Sequence, residues 1–329
     1  MKRIIIIALG FAALSGVREA RATQFAAEVV SYKSGTGYAT DWSTGAGFTN
    51  KDATIGAPAC ETPGEWGGPI TPFSPPYLLN QILSIGAGGE VTLKFARPIR
   101  DEPLNPFGLD FLVFGGAGFT ITNGDFSGGG ITDGTLFGRA DGETRLSVSA
   151  DGEAWFVLDP KQAPTFDAYH PTDGAGDFAL PVNPALAKGD FDGGGLAKFT
   201  ELYAGSGGGT GYDIAWAVDI NSKPATLGQV QFIRLEVLSG KAEVDAVSDV
   251  RPQTSDLAWH IEDFSSDPLA NGWVVHGDES LFKWDAAAGS LAVTWDSEQL
   301  NSLFHRPLGL TLTEADAFAF AFNITLDTV

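Results

Sequence analysis

Residues 202–216, LYAGSGGGTGYDIAW, hold five glycines, a serine and a threonine within seven positions, followed by Asp213. Four chemistries compete for such a stretch: a phosphate cradle, a nucleophile's turn, a cation loop, or a bend with no chemistry. A phosphate cradle needs a strand that runs into a helix, because free N–H groups gather at a helix N-terminus. The order here is reversed. GLAKFTELYAG (195–205) places Leu196, Phe199, Leu202 and Tyr203 on one helical face, Gly205 stands where a left-handed cap belongs, and Tyr212 opens a strand pattern. No G-x-G-x-x-G register fits, and no Lys-Ser/Thr follows as in a Walker loop. AGSGG (204–208) echoes a nucleophile elbow but begins with Ala and lacks the strand-to-helix setting. The histidines are His170, His260, His276 and His305, and none has zinc-site spacing. A Ser206–His170–Asp triad can be drawn, but no local motif supports it. The stretch reads as punctuation between elements.

Carboxylates are plentiful, with 41 Asp and Glu. Glycosidase chemistry needs two of them at a set separation in a cleft, which sequence does not supply. A hard cation needs several oxygens on a pliable backbone, and Asp with Gly provides both. TNGDFSGGGITDG (122–134) and KGDFDGGG (188–195) meet that description, with Asp190 and Asp192 as ligands. Neither follows the EF-hand pattern, since Gly194 takes the third ligand position. Asp and Gly also make turns and helix caps, so both readings stay open. In SADGEAW (149–155), Asp151 reads as a turn former bonded to backbone. Cys60, the single cysteine, has no basic residue within eight positions and reads as an idle thiol.

Aromatic faces stack on sugar rings, and four sit in or beside Gly/Pro-rich loops: Trp42, Trp66, Tyr77 and Tyr212. Each has core packing as its alternative.

These residues need elements to position them. The 42 glycines, 23 Phe, 8 Trp and low charged fraction (19%) describe an all-β protein. EVTLKFARPI (90–99) alternates, GLDFLVFGG (108–116) is continuously apolar as a central strand is, and TRLSVSADGEAWFVL (144–158) reads as a hairpin about Asp151-Gly152. GYDIAWAVDI (211–220) alternates as one strand with Asp213 and Asp219 on the far side. VQFIRLEVLSGKAEVDAV (230–247) reads as two strands about Ser239-Gly240. Two short helices are expected, at 75–86 and 195–205. The fold class is an antiparallel β-sandwich, jelly-roll-like, followed by a second, partial sandwich.

The first 22 residues stand apart. Lys2 and Arg3 precede an apolar run, and Ala20–Ala22 offers small residues for cleavage, which is a secretory signal of bacterial type. Cleavage there removes four basic residues and one acidic residue, taking the net charge from −21 to −24. Such a surface repels nucleic acid and anionic lipid. No membrane insertion is expected once the signal is removed, and the location is secreted or cell-surface. The organisation is a signal peptide (1–22), a first domain (23–252), a linker (253–257) and a second unit (258–329). That unit carries Trp259, Trp273, Trp284 and Trp295 and stops inside an apparent strand, so an incomplete domain is expected.

YKSGTGYATDWSTGAGFTNKDATIGAP (32–58), FGLDFLVFGGAGF (107–119), LYAGSGGGTGYDIAWAVD (202–219) and RLEVLSGKAEVDAVSDV (234–250) together resemble a family of bacterial secreted or cell-surface proteins found with PEP-CTERM sorting tails. No sorting tail is visible, as a truncated end would explain. LSVSADGEAWFVL and AEVDAV are similar to discoidin-type and carbohydrate-binding jelly rolls, and that resemblance implies a structural calcium held by Glu28 and Asp245. EDFSSDPLANGWVVHGDESLFKWD resembles the opening of lectin-like or laminin-G-like sandwiches. The expectation is an exported, non-catalytic protein that attaches to glycan or matrix, with calcium bracing its loops. The alternatives are a secreted polysaccharide hydrolase or lyase, or an architectural surface-layer component.

Overall fold

Val91, Leu93 and Phe95 alternate with Thr92 and Lys94, and in the computed structural model all three apolar side chains are buried in the main core. The structure describes residues 2–7, 24–65, 67–251, 264–295, 302–305 and 323–328. The chain divides into two units, one of residues 21–253 and one of 1–20 with 254–329.

The larger unit is an antiparallel β-sandwich. Its principal strands are β1 (Ala26–Lys33), β2 (Leu83–Gly86), β3 (Gly89–Arg100), β4 (Phe111–Phe114), β5 (Thr144–Ser149), β6 (Phe156–Leu158), β7 (Thr210–Tyr212), β8 (Ala217–Val218), β9 (Gln229–Val237), β10 (Lys241–Val244) and β11 (Ala246–Asp249). One sheet runs β8-β6-β5-β9-β3-β1, a second runs β7-β4-β11, and β2 pairs with β10. Inward side chains of all three interleave: Leu93, Leu146 and Ile233 from the first, Phe111 and Val113 from the second, Ile85 and Val244 from the pair. β4 is apolar throughout because it is the middle strand of its sheet and is buried on both faces. Phe111 and Val113 face the main core, while Leu112 and Phe114 pack with Phe25, Phe178, Ala246 and Val250.

The hairpin about Asp151-Gly152 forms as expected, with Ser147 opposite Val157 and Val148 opposite Phe156. Two local expectations are corrected. Residues 211–220 are not one strand. The Asp213 carboxylate accepts from the Ala215 N–H and caps a 3-10 turn over Ile214–Trp216, and the chain then passes from one sheet to the other. Ile220, expected on the buried side, is fully exposed. Ser239-Gly240 turns the chain between two strands as expected, and because β9 pairs with β3 and β5 whereas β10 pairs with β2, the turn is a corner between sheets. Residues 75–86 form turns followed by β2, without a helix. The Gln81 side chain holds this segment by accepting from Thr62 Oγ1 and the Leu78 N–H and donating to the Glu61 carbonyl. The two short helices are α1 (Lys188–Phe191) and α2 (Leu196–Tyr203). Their Phe191, Phe199 and Tyr203 form a separate aromatic cluster with Phe119. The left-handed residue that ends α2 is Ala204, at φ +50°.

In the second unit, Phe282–Asp285 pairs with Ser290–Trp295, and Val274–His276 pairs with Leu303–His305. Trp273 stacks on Phe304 at 4.9 Å, and Trp284 Nε1 donates to the Phe264 carbonyl at 2.7 Å, so both rings are half-buried packing groups. Trp259 lies outside the described residues. Lys2–Ile7, expected as the head of an export signal, is here a strand between Ser290–Trp295 and Asn323–Thr328.

Candidate functional site

The glycine stretch joins α2 to β7. Ser206 is buried, and its hydroxyl donates to the Leu180 carbonyl while accepting from the Gly208 N–H. Gly208 has φ +85°, and a Cβ there would lie 2.3 Å from the Pro171 carbonyl oxygen, so backbone passes too close for any side chain. The ring of His170 packs among Tyr169, Phe191 and Tyr203. Burial pulls its pKa down to about 4, which leaves it neutral.

The residues expected to hold calcium are spread through the fold. Glu28 is exposed on β1 opposite Lys94, whereas Asp245 is buried between β10 and β11 and accepts from the Ala59 N–H at 2.9 Å. Burial pushes the Asp245 carboxyl up to about 8. Asp190 is exposed and accepts from the Ala187 N–H at the start of α1, which is the helix-cap alternative. Asp192, also exposed, contributes its backbone carbonyl to Lys198 Nζ. In 122–134, Asp125 and Asp133 accept from the backbone and hydroxyls of Ser127 and Thr135, as turn formers do. Asp151 likewise accepts from the Glu153 and Ala154 N–H groups.

The four aromatic candidates also separate. Tyr212 is wholly buried, stacks on Phe111 at 5.3 Å and donates its hydroxyl to the Pro164 carbonyl, so it is core and not a platform. Tyr77 is partly exposed. Trp66 lies outside the described residues. Trp42 is 94% exposed. Its loop is held by one oxygen: Asp41 Oδ1 accepts from the N–H and hydroxyl of both Ser43 and Thr44, at 2.7–3.1 Å. Those bonds, the Ser43 hydroxyl foremost, keep the Asp41 carboxyl down at about 2. The indole is therefore presented on a braced turn.

A further group was not expected from sequence. Among the described residues, Asp101, Asp110 and Asp213 are the three carboxylates that bring one oxygen each within 4.8 Å of the others. Asp101 follows β3, Asp110 precedes β4 and Asp213 follows β7, so strand ends from both sheets converge. Asp110 is fully buried. Its Oδ1 accepts from the Glu102 N–H and from Asn105 Nδ2, and its Oδ2 accepts from the Ile214 N–H. Burial pushes its carboxyl up to about 6 despite those donors, with Asp213 and Asp101 adding repulsion. One signal was available in sequence: Asp110 is a lone acid in the apolar run 108–116, and a charge at such a position must be compensated. The convergence with Asp101 and Asp213 is a matter of topology.

No family model matches the chain, and no curated protein matches it.

Proposed function

We propose that this chain is an exported, non-catalytic attachment protein of the cell exterior, whose larger, jelly-roll-like unit contacts glycan or matrix through Trp42. The observation that carries the reading is the indole itself, 94% exposed on a turn that Asp41 holds in place. A hydrated ring of this size contributes about 2–3 kcal/mol when a partner covers it. A braced turn loses little entropy on binding, which preserves that gain. The acidic surface and the export pattern at 1–22 support an extracytoplasmic location with a neutral partner. The lectin-like resemblance of the second unit supports the same kind of partner.

The test is a glycan array probed with the secreted chain, alongside N-terminal sequencing, which is expected to begin at Thr23. Binding is expected to weaken roughly 30-fold in Trp42→Ala, equivalent to about 2 kcal/mol, with an unchanged melting temperature. Binding that ignores the substitution overturns the role of Trp42. Release of shortened glycan overturns the non-catalytic reading in favour of a hydrolase or lyase.

A further inference from the structure

We infer that Asp101, Asp110, Asp213 and Asn105 form a calcium site that ties the two sheets of the larger unit together at one end. The inference is independent of Trp42 and of any glycan.

Two separate observations meet at this place. The first is the trio, whose oxygens lie within 4.8 Å of one another. Calcium holds oxygen ligands at about 2.3–2.6 Å, so oxygens sharing one ion can be up to about 5 Å apart. Magnesium, at about 2.1 Å, permits little more than about 4 Å and is the poorer fit at the wide limit. The second observation is Asn105. It is only 5% exposed, its amide faces the trio with Nδ2 3.1 Å from Asp110 Oδ1, and its own Oδ1 is buried without a hydrogen-bond partner. A buried amide oxygen left without a donor is destabilising. A half-turn of the amide about Cβ–Cγ carries the oxygen to the position now held by Nδ2, and two oxygens 3.1 Å apart both reach one calcium ion. Three carboxylates and one amide oxygen leave the remaining positions of a six- to eight-coordinate shell for water.

The consequence is mechanical. β3 belongs to the six-stranded sheet, while β4 and β7 belong to the three-stranded one. An ion shared by Asp101, Asp110 and Asp213 therefore adds a further tie between the two layers, beside the hydrogen bond from the Glu102 N–H to Asp110 Oδ1. It also steadies loop 102–109, which Asp110 already organises through Glu102 and Asn105. That loop carries the exposed Leu104 and Phe107, the latter in a left-handed conformation at φ +60°.

Calcium chloride titrated into the chelator-treated full chain tests the site by calorimetry, by melting temperature and by hydrogen exchange. Calcium is expected to raise the melting temperature and to slow exchange in 101–110 and 213–216. Asp101→Asn with Asp213→Asn keeps the shapes, and the amide oxygen that replaces a carboxylate oxygen at position 213 can still accept from the Ala215 N–H. The double variant is expected to melt no lower than wild type without calcium, while losing the calcium-induced slowing and at least tenfold in affinity. If that variant does not fold, Asp101→Asn alone carries the same comparison. A calcium response absent from wild type, or equal in wild type and variant, overturns the site. A glycan array result in either direction leaves it standing.

Discussion

The backbone N–H of Glu243 donates to Asp167 Oδ2 at 2.8 Å, so one acidic residue secures the carboxylate of another inside the core. The N–H groups of Gly116 and Ala117 donate to Asp167 Oδ1 at 2.8 and 2.9 Å. A single buried side chain thus ties β10 to the segment that leaves β4. Asp167 sits at φ +56°, a left-handed conformation that Asp and Asn tolerate better than most residues. Asp167→Asn keeps that tolerance but turns an amide N–H toward the Glu243 N–H. It is expected to cost about 1–3 kcal/mol in urea unfolding. A change under about 0.5 kcal/mol would show that the three bonds do not hold the strands.

Acidity separates two sets of carboxylates. Burial raises Glu243 to about 7 and Asp245 to about 8. Their folded values lie above their ordinary ones, so the folded state favours the protonated forms. That contribution is complete below about pH 4 and is lost as pH rises through 7 and 8, at up to about 1.4 kcal/mol per pH unit for each group. Asp41, Asp125 and Asp151 are shifted down by their own turn donors, and their contribution disappears only as pH falls below about 4. The melting temperature in chelator is expected to peak between about pH 4 and 5 and to decline steadily to pH 8. A curve that rises from pH 5 to 8 contradicts this placement of the buried acids.

Asp41 offers a way to test the turn without touching the ring. Asp41→Ala removes four hydrogen bonds at once and frees the loop that presents Trp42. On the proposed reading, glycan or matrix affinity falls by about tenfold, because ordering the loop then opposes binding. Global stability is expected to shift by less than about 1 kcal/mol, as for other exposed positions. Equal affinities for Asp41→Ala and wild type would mean that the brace has no part in binding.

The glycine stretch makes its own prediction. Gly208→Ala forces a Cβ to within 2.3 Å of the Pro171 carbonyl in a left-handed conformation, and is expected to destabilise by about 2 kcal/mol or more. Gly37 has a similar φ of +77° but open space around it, so Gly37→Ala carries only the conformational cost of about 1 kcal/mol. Matching melts for the two variants would mean that close packing around 205–211 is not why glycine is there.

Patterns of short range were legible without coordinates. Alternation in 90–99, the apolar run at 111–114, the Asp151-Gly152 hairpin and the helix before Gly205 all correspond to elements of the structure, because each depends on residues within a few positions of one another. The alternation of 211–220 misled, since a capping Asp213 can break a strand without disturbing its period. Residues 75–86 misled for a related reason: Leu83 and Ile85 suit a helix or a strand equally until β10 pairs with them.

The amino-acid sequence on its own determined an all-β chain, acidic and rich in glycine corners, because composition and period express backbone preference directly. Tertiary structure alone decided which acids meet and which aromatic side chains see solvent. Asp101, Asp110 and Asp213 are up to 112 positions apart and converge only because β3 and β7 end where β4 begins. Trp42 and Tyr212 both lie in or beside a Gly-rich loop, yet one is hydrated and the other buried. That difference depends on which sheet covers each ring, a long-range property that no window of sequence contains.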